Sequence, residues 1–254
     1  MESPEDKARA IFGQRAAFYA TSPTHSDPQV LQSVVDLAKL RSNCNALDIA
    51  TGTGHTAFAL APHAGSVIGI DLTEAMLAEA ERLRQSRSLD NVTFQIGDAH
   101  QLAFEDGTFD VVTCRRAAHH FSNISLALSE MRRVLCPGGI LVIDDRSVPE
   151  DDFLDRCMNL LDAYHDESHV REYRPGEWQR MLEESGYQVE TMEPYIQHRP
   201  LTSLTKNVSE ENTRKIQSTL NGLTASQKDA FQLVERNGEL YLNHWYVLIS
   251  AQAR

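Results

Sequence analysis

The chain has 254 residues, of which 41% are hydrophobic and 24% are charged, and this length can bury the core of one globular domain. Its formal net charge of −12 argues against nucleic acid as a partner, because proteins that bind phosphate backbones usually carry a basic face. The first residues lack the apolar stretch of a signal peptide, no segment reaches membrane-spanning length, and the four cysteines form no C-x-x-C pair, so a cytoplasmic protein without membrane contact is predicted.

Two helices are predicted at the N-terminus. The first runs through Tyr19 and breaks at Ser22-Pro23. The second fits residues 28–41, where apolar residues recur on one side.

From residue 45 the pattern changes to short apolar runs that alternate with helical stretches, which is typical of βαβ units and a parallel sheet covered on both faces. Strands are predicted at residues 45–50, 66–71, 92–97, 109–114 and 140–145. The helices between them are predicted at residues 56–62, 73–86 and 125–135.

After residue 145 the alternation becomes less regular. Helices are predicted at 150–164, 175–186 and within 209–236, and strands at 187–196 and 238–253. The predicted fold class is therefore α/β: a Rossmann-like, doubly wound sheet of seven strands, mostly parallel with a late antiparallel strand, and helices on both faces.

A glycine motif, Gly52-x-Gly54-x-x-Ala57, follows the first predicted strand. Such glycines let the backbone approach a dinucleotide or another adenosine-bearing cofactor, so the motif alone leaves both open. Asp48 within the strand would repel the phosphates of a nicotinamide cofactor, but it suits a cofactor with a cationic amino-acid end. Asp71 at the next strand end can accept hydrogen bonds from ribose in either cofactor.

Four blocks extend this pattern: "LDIATGTGHTA", "VIGIDLTEAMLAEA", "FQIGDAHQLAFEDGTFDVVTCRRAAHHF" and "MRRVLCPGGILVI". Their order and spacing resemble the class I S-adenosylmethionine-dependent methyltransferases, and among these the type 11 enzymes of the UbiE-like and YcgJ-like kind. One departure is Ala50, which stands where the family commonly has the first glycine of the loop. The resemblance implies S-adenosyl-L-methionine as cofactor and S-adenosyl-L-homocysteine as product.

The resemblance also implies which residues bind the cofactor. The methionine end would contact the loop of Ala50, Gly52 and Gly54, with Asp48 supporting that loop or contacting the amino group. Asp71 would hold the ribose hydroxyls and Asp98 the adenine amine. The remaining expected contacts are Leu72 and Met76 on adenine, Ala99 beside Asp98, and the main chain near Arg115. For Met76, packing in the core is an equal alternative.

Four residues are predicted to act on the acceptor. His119 and His120 follow the fourth strand at the sheet edge where doubly wound folds bind ligands, and a histidine is suited to be a general base. Because they are adjacent, we expect one to face the site while the other packs elsewhere. A structural role for both remains open. The N-terminal segment resembles a lid, so Tyr19 and His25 are predicted to contact cofactor or acceptor, with helix packing as an equal alternative.

A metal site is not predicted. His165 and His169 are four residues apart, but a third convincing ligand is missing.

The function predicted from the resemblance is methyl transfer to a carbon or oxygen of a small, fairly apolar molecule. The tetrapeptide [DNS]-P-P-[YFW] of many amine methyltransferases is absent after the fourth strand, where "CRRA" stands instead. A binding protein that senses S-adenosylmethionine without catalysis is the first alternative, and an NAD-dependent oxidoreductase is a weaker one. One methyltransferase domain is expected over 1–254, with a lid at 1–42, a cofactor core at 43–148 and acceptor-side elements at 149–254. The oligomeric state cannot be predicted.

Overall fold

The computed structural model describes residues 3–254, so residues 1 and 2 of the predicted lid lie outside the described part. An eight-stranded sheet runs through the structure. Its strands are β1 (Asn45–Ile49), β2 (Ser66–Asp71), β3 (Val92–Ile96), β4 (Phe109–Arg115), β5 (Leu135–Ser147), β6 (Tyr187–Pro200), β7 (Val234–Arg236) and β8 (Glu239–Ala253). The spatial order is β3-β2-β1-β4-β5-β8-β6, and β7 pairs with β8.

Helices lie on both faces of this sheet, as the alternating sequence pattern predicts. They are α1 (Pro4–Ala20), α2 (Pro28–Ala38), α3 (His55–Leu60), α4 (Glu74–Arg87), α5 (Ile124–Val134), α6 (Asp152–His165), α7 (Pro175–Glu184), α8 (Thr202–Thr205), α9 (Glu210–Asn221) and α10 (Ala225–Ala230). One face packs against α5 and α7 through Leu128 and Trp178, and the other against α2 and α3 through Val34 and Phe58. Among the described helices, none combines the length and apolar character needed to cross a membrane.

Strand directions confirm the predicted fold class. Strands β1 to β5 pair in parallel, whereas β8 runs antiparallel to both β5 and β6. Because the ends of β1, β2 and β4 meet at one sheet edge, the loops that follow them are brought side by side.

The sequence predicts helices within 209–236, and α9 and α10 form there, but the last residues of this range form β7, which makes a hairpin with β8. Arg236 pairs with Glu239, and the two residues between them, Asn237 and Gly238, have φ of 53° and 79°. Positive φ at both positions is the geometry of a type I′ turn, and Asn-Gly is its preferred sequence. The sequence therefore carried a hairpin signal that the polar, helical character of the preceding residues concealed.

Candidate active site

A cavity of about 360 Å³ opens at the carboxyl ends of β1, β2 and β4, with α1 lying across it. All but two of the predicted site residues line this cavity. They are Tyr19, His25, Ala50, Gly52, Asp71, Leu72, Met76, Asp98, Ala99, Arg115, His119 and His120. A cavity of this size that gathers convergent polar groups is typical of a small-molecule site.

The loop after β1 turns its backbone towards the cavity. Ala50 and Gly52 both have left-handed backbone, with φ of 51° and 54°. A Cβ added to Gly52 would meet no protein atom within 4 Å, so it would occupy the space of the cavity. The Gly52 N–H donates to the Asp71 carboxylate at 2.8 Å. This backbone also explains why glycine suits position 50, because an L-residue is strained there.

The two predicted cofactor residues that do not line the cavity, Asp48 and Gly54, hold the loop from behind. Buried Asp48 accepts hydrogen bonds from the hydroxyls of Thr51 at 2.5 Å and Thr113 at 2.7 Å. Burial raises the pKa of Asp48 to about 6, although these hydroxyls oppose the rise. A Cβ on Gly54 would lie 2.8 Å from the Phe58 ring, so close packing requires glycine here. Of the two roles expected for Asp48, the geometry matches support of the loop.

The two carboxylates that are predicted to bind the adenosine part of the cofactor are held by local hydrogen bonds. Asp71 accepts from the N–H groups of Gly52 and Thr73, and burial raises its pKa. Asp98 accepts from the backbone N–H and the Nδ1 of His100, both at 2.8 Å. A carboxylate offers about four acceptor sites, so both can accept further hydrogen bonds from a ligand.

Arg115 contributes its side chain to the site, whereas the sequence predicted a role for its main chain. Its Nε donates to the Thr56 hydroxyl at 2.9 Å, and its Nη2 donates to the His25 carbonyl at 2.6 Å. Its Nη1 is buried and has no hydrogen-bond partner within residues 3–254. A buried guanidinium with an unused donor is suited to an anionic ligand group.

His119 is held by a buried carboxylate. Its Nδ1 lies 2.6 Å from Asp145 Oδ1, and its backbone N–H donates to Asp145 Oδ2 at 2.9 Å. Burial, together with nearby His120 and His169, holds the pKa of His119 well below its usual range. Burial raises the pKa of Asp145 to about 6. At neutral pH the pair is therefore a neutral imidazole that donates from Nδ1 to a carboxylate, which leaves Nε2 as the proton-accepting nitrogen.

The expectation that His119 and His120 point in different directions was wrong. Their ring centroids are 4.0 Å apart, and both rings line the cavity. They belong to a 3-10 turn over Ala118–His120, and the cavity is wide enough at this turn to be lined by both rings. His120 instead differs in its partner, because its Nδ1 lies 3.2 Å from the Ser168 carbonyl oxygen.

Tyr19 and His25 line the cavity from α1 and the loop that follows it. Their rings are 4.6 Å apart, and His25 Nδ1 lies 2.8 Å from the Ser22 hydroxyl. Burial, with Asp166 nearby, raises the pKa of Tyr19 to about 12. Burial and the neighbouring Arg115 lower the pKa of His25 to about 3. Both side chains are therefore neutral at pH 7, and a catalytic role for either stays a prediction.

Several lining residues were not predicted from the sequence. They are Arg15, Arg116, Arg146, Asp162, Asp166, Arg199, Lys206 and Tyr246. The sequence did contain a signal for Asp145, the partner of His119: the apolar run 140–143 within β5 is followed directly by two acids, Asp144 and Asp145. His165 and His169 also line the cavity, but their rings bond to the Leu204 carbonyl and the Asn159 side chain. Within residues 3–254 no three His, Cys, Asp or Glu side chains are grouped to hold a metal ion.

Fold and site together define a class of enzyme. A doubly wound sheet carries a left-handed loop after β1 and carboxylates after β2 and β3, beside one cavity. This arrangement is that of a class I S-adenosylmethionine-dependent methyltransferase. Comparison with known proteins agrees: residues 40–186 match the family described as "Methyltransferase domain", and the chain belongs to this family.

Three similarities place the chain more narrowly. It is 39% identical to the uncharacterized methyltransferase YcgJ of Bacillus subtilis over 171 residues, which is 67% of this chain and 68% of that protein. The crystal structure of YcgJ superposes with a TM-score of 0.81 at 34% identity, covering 89% of this chain and 98% of that one. The demethylmenaquinone methyltransferase of Thermus thermophilus is 43% identical over 111 residues, which is 43% of this chain and half of that protein. The predicted family and enzyme class are therefore confirmed.

Proposed function

We propose that this methyltransferase transfers the methyl group of S-adenosylmethionine to a carbon or oxygen of a small molecule, with His119 as general base. The observation that carries the proposal is the buried His119–Asp145 pair in the wall of the cavity. The demethylmenaquinone methyltransferase relative, named for a small-molecule substrate, supports an acceptor of that kind. The fairly apolar acceptor and the cytoplasmic location stay predictions.

The residues around the loop fit the cofactor. The turn of Ala50 and Gly52 leaves space that a Cβ would fill, which suits close approach of a ligand to the backbone. The unused Nη1 of Arg115 would receive the carboxylate of the methionine end. Asp71 would accept from the ribose hydroxyls and Asp98 from the adenine amine. S-adenosylmethionine supplies an activated methyl group on a sulfonium, and S-adenosylhomocysteine is left as product.

His119 has the proton-transfer role. As the acceptor forms its bond to the methyl carbon, Nε2 takes the proton of an acceptor hydroxyl or acidic C–H. Asp145 keeps Nδ1 protonated and stabilises the imidazolium that results, which is the division of labour in Asp–His pairs of other enzymes. The cavity walls align the reactants and exclude water.

We also propose that the domain is divided into a lid (1–42), a cofactor core (43–148) and an acceptor side (149–254). Helix α1 reaches the cavity through the ring of Phe12, which packs edge-on to His120 at 5.1 Å. Arg15, three residues further along α1, lies 3.6 Å from Asp166, just after α6. The lid therefore joins the cofactor core to the acceptor side. A sensor without catalysis would have no need of a buried base beside the cofactor loop, so this pair favours an enzyme.

The test has two arms. Calorimetric titration with S-adenosylmethionine, S-adenosylhomocysteine and NADH is expected to show binding of the two adenosyl compounds and none of NADH. Labelled methyl transfer is then screened over phenols, enols and alcohols, each tested with and without a carboxylate or phosphate group. Binding of NADH alone would overturn the cofactor assignment. Binding of the adenosyl compounds without transfer to any acceptor, at any pH from 6 to 9, would favour the sensor.

A further inference from the structure

We infer that the acceptor carries an anionic group, a carboxylate or a phosphate, and that Arg199 on β6 and Lys206 after α8 bind it at the acceptor side of the cavity. This inference rests on the proposed function, because it defines the acceptor of that same reaction. It narrows the sequence-based expectation to a molecule with an apolar body and one acidic end.

The first support is the pairing of charges around the cavity. Arg116 lies 3.0 Å from Asp144. Arg146 lies 2.5 Å from Asp162. No carboxylate of residues 3–254 lies within 4.0 Å of the Arg199 guanidinium or the Lys206 ammonium, although both line the cavity. These two cations are therefore available to a ligand.

The second support is the orientation of Arg199. Its Nη1 donates to the Tyr246 hydroxyl at 3.1 Å, and this hydrogen bond fixes one nitrogen of the guanidinium. An arginine presents five donors in a planar fork, and this fork matches the paired oxygens of a carboxylate or phosphate. The side chain is half-buried, so its interaction with an anion is screened less than at a free surface.

The third support is the electrostatic environment of Tyr246. This fully buried ring stacks on Tyr195 with centroids 5.1 Å apart, and the Arg116 guanidinium carbon lies 3.8 Å from its centroid. Burial alone would raise the pKa of Tyr246, but the surrounding arginines Arg146, Arg116 and Arg199 outweigh it and lower the pKa. Three guanidinium groups, those of Arg116, Arg146 and Arg199, therefore surround this one buried phenol.

The net charge of the whole chain is opposite in sign to these two cations. The net charge is −12, so the overall field of the protein does not favour anions, and the local cations of the cavity wall would have to attract them. Lys206 is exposed, and its ammonium lies 5.6 Å from the centroid of the Phe18 ring, which also lines the cavity. We therefore assign Arg199 as the principal anchor and Lys206 as a contributor at the entrance.

The site lies in the same cavity as His119 and the cofactor loop. An acidic group held at Arg199 would anchor one end of the acceptor while its nucleophilic atom is presented to His119. Anchoring of this kind converts binding energy into alignment, on which displacement at a methyl carbon depends.

The test uses the full chain saturated with S-adenosylhomocysteine and three probes: benzoate, its neutral analogue benzamide, and inorganic phosphate. Calorimetry is expected to show binding of at least one anion, with benzamide at least tenfold weaker than benzoate if the group is a carboxylate. Arg199→Gln is expected to weaken that anion at least tenfold while S-adenosylhomocysteine binds unchanged. The matched control is Arg214→Gln on the exposed side of α9, which should change neither.

The outcomes identify the anionic group and separate a failure of this inference from a failure of the proposed function. Preference for benzoate identifies a carboxylate, and preference for phosphate identifies a phosphate ester. The inference is overturned if neither anion binds, if benzamide binds as well as the preferred anion, or if Arg199→Gln leaves that anion unaffected. Failure of S-adenosylhomocysteine to bind would instead contradict the proposed function, whatever the anions do.

Discussion

The two sides of the cavity are built in different ways. The proposed cofactor side uses the ends of neighbouring parallel strands, and its main features are the backbone conformation at Ala50 and Gly52, Asp71 at the end of β2 and Asp98 just after β3. The acceptor side collects long side chains from separate elements. Arg199 and Tyr246, which bond to one another, are 47 residues apart in the chain.

This difference has a consequence for function. A site made from backbone and strand ends depends on short segments next to the βαβ units that position them. A site made from distant side chains can be altered by single substitutions while the sheet stays intact. We therefore expect specificity to be determined on the proposed acceptor side, which would let a common fold accommodate many acceptors.

The largest expected effect tests whether a residue of the proposed acceptor side can be essential for methyl transfer without contributing to cofactor binding. His119→Gln is expected to lower kcat for labelled methyl transfer by about 10³-fold, because it removes the general base. S-adenosylhomocysteine affinity should stay within about threefold, and the matched control His120→Gln should lose less than about tenfold. The wild-type kcat should also fall as pH drops through about 6, where Asp145 takes up a proton and releases Nδ1. Equal loss of cofactor affinity in His119→Gln would show that the two sides are not separable.

The next effect concerns the carboxylate beneath the cofactor loop. The folded-state pKa of Asp48 is about 6, above its ordinary value of 3.8. The stability of wild type relative to Asp48→Asn should therefore be highest below pH 3.8. It should fall by up to about 3 kcal/mol as pH rises through about 6. Urea unfolding at several pH values measures this difference, and a constant difference would contradict the raised pKa of buried Asp48.

A third prediction sharpens the assignment of Arg115 to the cofactor side. Arg115→Gln is expected to weaken S-adenosylmethionine and S-adenosylhomocysteine by about 10- to 100-fold, the loss of one buried charge-assisted contact. Adenosine, which has no carboxylate, should bind wild type and variant equally. Arg82→Gln on exposed α4 is the control and should change neither affinity. Equal weakening of adenosine would mean that Arg115 acts by holding the loop.

The smallest expected effect tests the strain at the start of the cofactor loop. Ala50→Gly should raise the free energy of unfolding by about 1 kcal/mol, because glycine adopts a φ of 51° without the penalty of a Cβ. Ala59→Gly in helix α3 is the matched control and should lower it by about 1 kcal/mol, as expected in an ordinary helix. The same sign for both variants in thermal or urea unfolding would refute backbone strain at Ala50.

Much of the cofactor side was predictable because its signals are local. The five parallel strands, the loop with its glycines, and the acids at 71 and 98 are read from short windows of hydrophobic pattern and strand-end polarity. Asp48 and Gly54 belong to the same motif, yet neither of them lines the cavity. Which side of a loop a residue faces depends on the packing beneath it, here Thr113 and Phe58.

The sequence by itself determined the α/β class, the methyltransferase family pattern and the sheet edge that holds the site, because period and spacing act over a few residues. Only the tertiary structure decided that Asp145 holds His119 and that Arg199 stands without a carboxylate partner. The first fact depends on the pairing of β4 with β5, and the second on how β6 joins the sheet through β8. Ion pairing and burial depend on residues that are neighbours in space. A local sequence pattern does not identify these residues when they are distant in the chain.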